Sequence, residues 1–277
     1  MAHLVCITVD VDNTSAMLAR GYDGRAMLSR GEFGVVGTSR LLKLFAKHEM
    51  KCTWFVPGQT LVSFPDSMAP VVADGHELAV HGWTHRQPIA MSEAEEEDEL
   101  IRAGDEIAKF QGKRPIGYRA PSWEPSWATT RLLAANGFVY DSSLMADDYT
   151  PYYPREGDVH PVDGPLQRGL PGSVLEIPVS PTLDDFSAFE IMRGPDGSVL
   201  PGLRSGRDVL ENWLNDFLWM RQELAKGVMT LVVHPHVIGR GHRMIFLETL
   251  ILKMKEAGAL FSTMAEAAER FSPRVDG

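Results

Sequence analysis

Short apolar runs alternate with helix-patterned segments along the whole of this sequence. Leu4 to Val11, Cys52 to Val56, Glu77 to Val80, Ile116 to Arg119, Phe138 to Asp141, Val174 to Val179, Val228 to His234 and a short last run, Ala259 to Ser262, read as strands. Between them, Ser39 to Met50 carries Leu41, Leu42, Leu44 and Phe45 at helical spacing, and Pro65 to Ala73 is a short helix stopped by Asp74-Gly75. A further helix opens at Ser92, where Ser92-x-x-Glu95 has capping-box spacing, and its acidic first turns, Glu93 to Glu99, read as a solvated face. Ser126 to Asn136, Arg207 to Lys226 and Met244 to Glu256 complete the helices, followed by Gly137, Gly227 and Gly258. Strands joined through helices run parallel, and seven or eight such units predict closure into a (β/α) barrel. Thr14 to Gly37, rich in glycine and containing several arginines, and Asp147 to Pro171, which lacks periodicity, are expected to be long connections, either functional or disordered.

A chain of 277 residues suits one such barrel, so a single domain over 1–277 is expected, with no composition break inside it. Lys plus Arg (27) against Asp plus Glu (37) leaves −10 with no basic run, which argues against nucleic acid and anionic membranes. Cys6 and Cys52 sit in strand-like runs and are expected to be buried free thiols in a reducing compartment. Neither a charged and apolar leader nor a run of about 18 apolar residues is seen, and the expectation is a cytoplasmic protein that does not cross a membrane.

Polar residues gather at one kind of place. Asp10, Asp12, His81, Arg119, Asp141 and His234 all fall at C-terminal ends of predicted strands, the face that carries the active site in parallel α/β barrels. His81 and His85 are four residues apart and can face one way across a turn, while Asp10 and Asp12 share a face through the strand period of two. Two imidazoles and a carboxylate make a metal site with open positions for water and substrate.

Five motifs, in order, carry a resemblance. Asp10-Val11-Asp12, His81-Gly82-Trp83-Thr84-His85, Arg119-Ala120-Pro121-Ser122-Trp123, Tyr140-Asp141-Ser142-Ser143-Leu144 and Leu231-Val232-Val233-His234-Pro235-His236 match the polysaccharide deacetylases of NodB homology. The chain resembles that family from Val9 to about Phe261, especially the branch with peptidoglycan deacetylase-like and cyclic imide hydrolase or allantoinase-like proteins. Most members have two adjacent aspartates followed by glycine, whereas here Val11 separates them and Asn13 follows. The resemblance implies a distorted (β/α) barrel of about seven parallel strands. It implies a metal-dependent hydrolase of non-peptide carbon–nitrogen bonds that removes acetyl groups from an N-acetylated sugar or polysaccharide. Its alternatives are a cyclic amide or imide hydrolase acting on a small molecule and a catalytically silent carbohydrate-binding protein. One divalent ion, zinc by its ligand types, and a homo-oligomer are implied as well.

Residue by residue, the resemblance makes Asp12, His81 and His85 the metal ligands and Asp10 the general base, with a second metal ligand as the alternative for Asp10. His234 is the general acid, although His236 shares its face. Asp141 is expected to orient and charge His234, or else to cap a turn. Arg119 is expected to pair with Asp10, or to bind an anionic substrate directly. Trp123 and Tyr118 are the candidate substrate contacts, while Trp83 and Trp54 read as core. Phe33, Tyr149, Tyr152 and Tyr153, in the two long connections, are expected to lid the pocket.

Overall fold

The computed structural model describes residues 3–193 and 199–272. β1 (His3–Asp10) is buried at every position after His3, as a strand covered on both faces must be. It pairs in parallel with β2 (Thr53–Val56) on one side and β7 (Gly227–Val233) on the other. β3 (Glu77–Val80), β4 (Gly117–Tyr118), β5 (Tyr140–Asp141) and β6 (Leu175–Glu176) continue the sheet beyond β2, all in parallel. The order is β7-β1-β2-β3-β4-β5-β6, and β8 (Leu260–Phe261) adds two residues to β1. The sheet curls into a distorted barrel whose edges, β6 and β7, do not pair. A single parallel bridge from Asp184, beyond β6, to Val232 spans the gap.

Strand parity decides what faces where. Along β1, Leu4 and Cys6 join Phe55, Ala79, Tyr140, Leu175 and Ile177 in a cluster inside the curl. Val5, Ile7 and Val9 join Trp54, Val56, Leu78, Val80 and Tyr118 in the larger core under the helices. Thr8 and Asp10 therefore follow Leu4 and Cys6 to the inner face.

The expected connection Thr14 to Gly37 is instead two helices, α1 (Asn13–Ala19) and α2 (Arg25–Lys47). Its glycines serve close packing. Gly31, Gly34 and Gly37 repeat every three residues, and a Cβ on them would lie 2.6 Å from the Asn13 carbonyl oxygen, 1.8 Å from Asn13 Oδ1 and 1.9 Å from the Pro235 carbonyl oxygen. α2 can thus lie against the segments that follow Asp12 and His234. The connection from Asp147 to Pro171 holds a two-stranded hairpin, Arg155–Glu156 with Leu170–Pro171, and single bridges from Val159 to Gln167 and from Tyr152 to Glu176. α3 (Glu93–Gln111) opens with the full Ser92–Glu95 capping box. Cys6 and Cys52 are free and buried, and no helix among the described residues is long and apolar enough to cross a membrane.

Candidate active site

Asp10, Asp12, His81, His85 and His234 converge at the C-terminal mouth of the curl, where they line a pocket of about 170 Å³ with Arg20, Ser122, Trp123, Asp184, Phe186 and Ser187. His85 Nε2 lies 3.2 Å from Asp12 Oδ2, and His81 Nε2 lies 3.6 Å from Asp12 Oδ1. His81 Nδ1 donates to the Arg119 carbonyl at 2.7 Å. A carbonyl only accepts, so the proton is on Nδ1 and the Nε2 lone pair is left toward Asp12. Asp12 Oδ1 is buried with no hydrogen-bond partner among the described residues. A carboxylate with an orphaned oxygen and two imidazole nitrogens, one beside each of its oxygens, is a donor set that fits a divalent metal ion.

The electrostatics agree with that fit. Burial alone would raise the Asp12 carboxyl, but the imidazoles of His85, His234 and His81 hold it well below the usual carboxylate range. Burial pushes His81 down to about 4 against the opposing charge of Asp10, leaving the neutral ring that a ligand requires.

The backbone around the ligands is strained and clamped. His85, Ser122 and Trp123 have φ of 63°, 57° and 55°, in the left-handed region that such residues seldom adopt. The loop from Gly82 to Thr84 is tied on both sides. Gly58 and Gln59 donate to the Gly82 and Trp83 carbonyls at 3.0 and 2.9 Å. Glu99 of α3 accepts from the backbone of Trp83 and Thr84 at 3.1 and 3.2 Å and from the Thr84 hydroxyl at 2.6 Å. The acidic turns of α3 are therefore not all solvated, since Glu99 anchors the ligand loop and Glu96 is buried.

On one flank of the ligands stands Asp10, 2.6 Å from the Arg119 guanidinium. Arg119 is fully buried and spends its other donors on Thr8 Oγ1, the Ser142 carbonyl and Ser142 Oγ. It does not line the pocket, so it positions Asp10 and does not reach substrate.

On the other flank stands His234, with Nε2 3.8 Å from Asp12 Oδ2. Its backbone is extended (φ −114°, ψ 130°) immediately before α6 (Pro235–Ile238), as the following proline favours. Its partner is Asp185, at the start of α4 (Asp185–Phe189). Asp185 accepts His234 Nδ1–H at 2.7 Å and the His234 backbone N–H at 3.0 Å. Burial would lower His234, but the bond and charge of Asp185, with Asp12 and Asp184, raise it to about 10. Burial lifts Asp185 to about 6 against the pull of His234. With two N–H donors aimed at Asp185, the proton resides on His234. Asp184, Asp185 and His234 also approach closely enough to suggest a second metal group. Their oxygens are already engaged, because Asp184 caps the Phe186 and Ser187 N–H groups and accepts from the Ser187 hydroxyl while Asp185 holds His234.

Three expectations are corrected. Asp141 does not touch His234, and Tyr118 does not reach the pocket. These two are register partners on neighbouring strands. Tyr118 faces the outer core, where it packs edge-on against Phe138. Asp141, beside it, accepts from Ser142 N and Ser143 Oγ. One residue further on, Arg119 and Ser142 face inward, as strand parity dictates. The expected lid is absent too. Phe33 lies under Arg240, Tyr149 bonds Asp216 at 3.0 Å, Tyr152 accepts from Ala146 N, and Tyr153 packs against the inner cluster. Trp123 does line the pocket. His236 does not, being buried at an edge of Phe186 with neither ring nitrogen hydrogen-bonded among the described residues.

Sequence reading missed Asp184, Asp185, Phe186 and Ser187. A signal was present, since the pair of aspartates follows the sixth strand as the other site residues follow theirs.

The polysaccharide deacetylase family model matches residues 30–140. The peptidoglycan deacetylase of Helicobacter pylori is 37% identical over 285 residues, spanning 98% of this chain and 97% of its own. A Mycobacterium smegmatis structure assigned to the polysaccharide deacetylases superposes with a TM-score of 0.84 and 31% identity over 98% of this chain and 90% of that one. Puue allantoinase shares the fold, with a TM-score of 0.78 and 22% identity over 99% of this chain and 91% of its own.

Proposed function

This chain belongs to the polysaccharide deacetylase family, and on that premise we propose that it releases acetate from N-acetylated sugars of a polysaccharide in a metal-dependent reaction. The observation that carries the reading is one pocket in which a ligand-type triad, Asp12, His81 and His85, is flanked by Asp10–Arg119 and by His234–Asp185. Binding alone requires neither flank. Hydrolysis of an amide requires both, because water must lose a proton and the amine must gain one before it leaves.

Asp12, His81 and His85 would hold the divalent ion, and their two imidazoles and one carboxylate suit zinc. Such an ion supplies Lewis acidity, polarising the amide carbonyl and making water easier to deprotonate. Asp10, held by Arg119, takes the proton of the attacking water as its oxygen bonds to the acetyl carbon. His234, kept protonated by Asp185, gives its proton to the sugar nitrogen as the carbon–nitrogen bond breaks. Acetate and a free amino sugar leave. Trp123 offers an aromatic wall for the sugar ring.

A second reading, ring opening of a cyclic amide, is favoured by the residue that separates the two aspartates. It uses the same base and acid. The deciding test incubates zinc-loaded protein with N-acetylglucosamine oligomers, peptidoglycan fragments and cyclic imides. Acetate from the sugars, abolished by chelation and restored by zinc, is the expected result. Ring opening of imides with no acetate from any sugar would overturn the first reading in favour of the second.

A further inference from the structure

We propose that one face of α5 (Gly206–Glu223) is a groove that binds the sugars flanking the one under hydrolysis. The inference rests on the deacetylase reading above. α5 buries Val209, Trp213, Phe217 and Met220 against the core. The neighbouring stripe, Asn212, Asn215, Asp216 and Trp219, follows i, i+3, i+4, i+7 spacing and lines a hollow of about 650 Å³ with Thr182 and Arg204.

The chemistry of that stripe is specific. Trp219 is 56% exposed, an indole left on the surface of a helix whose other tryptophan is buried. The Asn212 and Asn215 amides make no hydrogen bond among the described residues, so their donors and acceptors are free. Asp216 is held in place by the Tyr149 hydroxyl at 3.0 Å, and Trp213 Nε1–H donates to the Thr182 carbonyl at 2.8 Å, fixing the wall opposite. A pyranose ring has an apolar face that stacks on an indole and hydroxyls at its edge that bond amides and carboxylates.

Position supports the same occupant. Ser187 lines both this hollow and the catalytic pocket. The catalytic pocket, at about 170 Å³, lies below the usual ~300–1,000 Å³ of ligand sites, so it takes the acetamido end and leaves the adjoining sugars outside. At 1.5 Å per residue the stripe from Asn212 to Trp219 runs about 10 Å, on the order of a disaccharide.

The test uses calorimetric titration of a β-1,4-linked N-acetylglucosamine tetramer into full-length Asp10→Asn protein loaded with zinc, alone and with Trp219→Ala added. Tetramer affinity should exceed monomer affinity, and Trp219→Ala should weaken tetramer binding about tenfold. Trp127→Ala, which removes an 80% exposed indole outside the groove, should retain the tetramer affinity. In the parent enzyme kcat/KM should rise with chain length, and Trp219→Ala should flatten that rise. Equal affinity for monomer and tetramer, or a Trp219→Ala protein that binds the tetramer like its parent, overturns the groove. So does a Trp219→Ala protein that dissociates from oligomer to monomer with unchanged glycan affinity, since the face is then a contact between copies. Tetramer binding that depends on Trp219, with no acetate released by the parent enzyme, upholds the groove and overturns the deacetylase reading alone.

Discussion

Asp185 holds His234 at two points, accepting its Nδ1–H at 2.7 Å and its backbone N–H at 3.0 Å. Ring orientation and tautomer are thereby fixed together, with Nε2 left to face the pocket. Asp184, which bridges to β7, locates this pair at the open seam of the barrel. The proposed acid is thus built where the sheet fails to close.

Asp185→Asn should therefore lower kcat on the order of 10²-fold or more, because a carboxamide can present its N–H side to Nδ1 and favours the wrong tautomer. Zinc content should be retained, since Asp185 is not among the ligands. Asp141→Asn should cost far less turnover. Steady-state kinetics of the two variants on one acetylated oligomer decide the matter, and the larger loss in Asp141→Asn would restore the pairing expected from sequence alone.

Much of this site is legible in the sequence, and what is hidden has physical reasons. The strand-end residues Asp10, Asp12, His81, Arg119 and His234 all reach the mouth of the barrel or its supporting shell. Asp141 and Tyr118 fail by one position, because two-residue strands give no alternation from which to read the inward face. Gly31, Gly34 and Gly37 read as loop because glycine lowers helix propensity, whereas here they are needed where α2 touches Asn13 and Pro235. Asp184-Asp185 carries the ordinary look of a helix N-cap, which Asp184 indeed is. Nothing local says that the neighbouring carboxylate points at a histidine 49 residues later.

The two aspartates at the end of β1 should separate cleanly. Asp12 turns one oxygen to each imidazole, Oδ1 to His81 with no hydrogen-bond partner among the described residues and Oδ2 to His85, while Asp10 is committed to Arg119. Asp12→Asn should weaken zinc binding roughly 10–100-fold or more, whereas Asp10→Asn should keep zinc and lose turnover. Zinc affinity by competition with a chelator, with acetate release measured in parallel, provides both readings. Equal loss of zinc in the two variants would make Asp10 a ligand and leave the base to be found elsewhere.

Glu99 offers a test of the clamp on the ligand loop. It receives two backbone N–H groups and one hydroxyl from Trp83 and Thr84, within the loop that joins His81 to His85. Glu99→Ala leaves those donors without their acceptor and frees the strained His85 backbone. Zinc affinity should fall about 10–100-fold although no ligand has been changed. Glu99→Gln, which keeps one acceptor oxygen, should recover part of it. Unaltered zinc affinity in Glu99→Ala would show that the loop is held without α3.

The last prediction concerns pH and uses the outer face of the sheet, away from the ligands. Asp141 and Glu176 are register partners on β5 and β6, and both are fully buried. Burial raises Asp141 from 3.8 to about 7, opposed by its bonds from Ser143 and Ser142 and by Arg119, and assisted by Glu96. Burial and the charge of Asp141 raise Glu176 well above its ordinary value, against its bonds from Leu144 and Ser143 and against Arg119. A carboxyl that binds its proton more tightly when folded stabilises the fold below its unfolded pKa, and loses that contribution as pH rises through the folded value. For Asp141 the window is 3.8 to about 7. Asp141→Asn cannot ionise, and its amide oxygen can still accept from Ser142 N and Ser143 Oγ. Its melting temperature relative to the parent should therefore climb between pH 4 and pH 8, by about 5 °C or more. Acids remote from Asp141 titrate in both proteins and cancel in that difference, whereas Glu176, relieved of the Asp141 charge, ionises more readily in the variant and adds to the climb. Melting curves at pH 4, 6 and 8 suffice, and a constant difference across the series would show that Asp141 ionises in the fold as readily as in water.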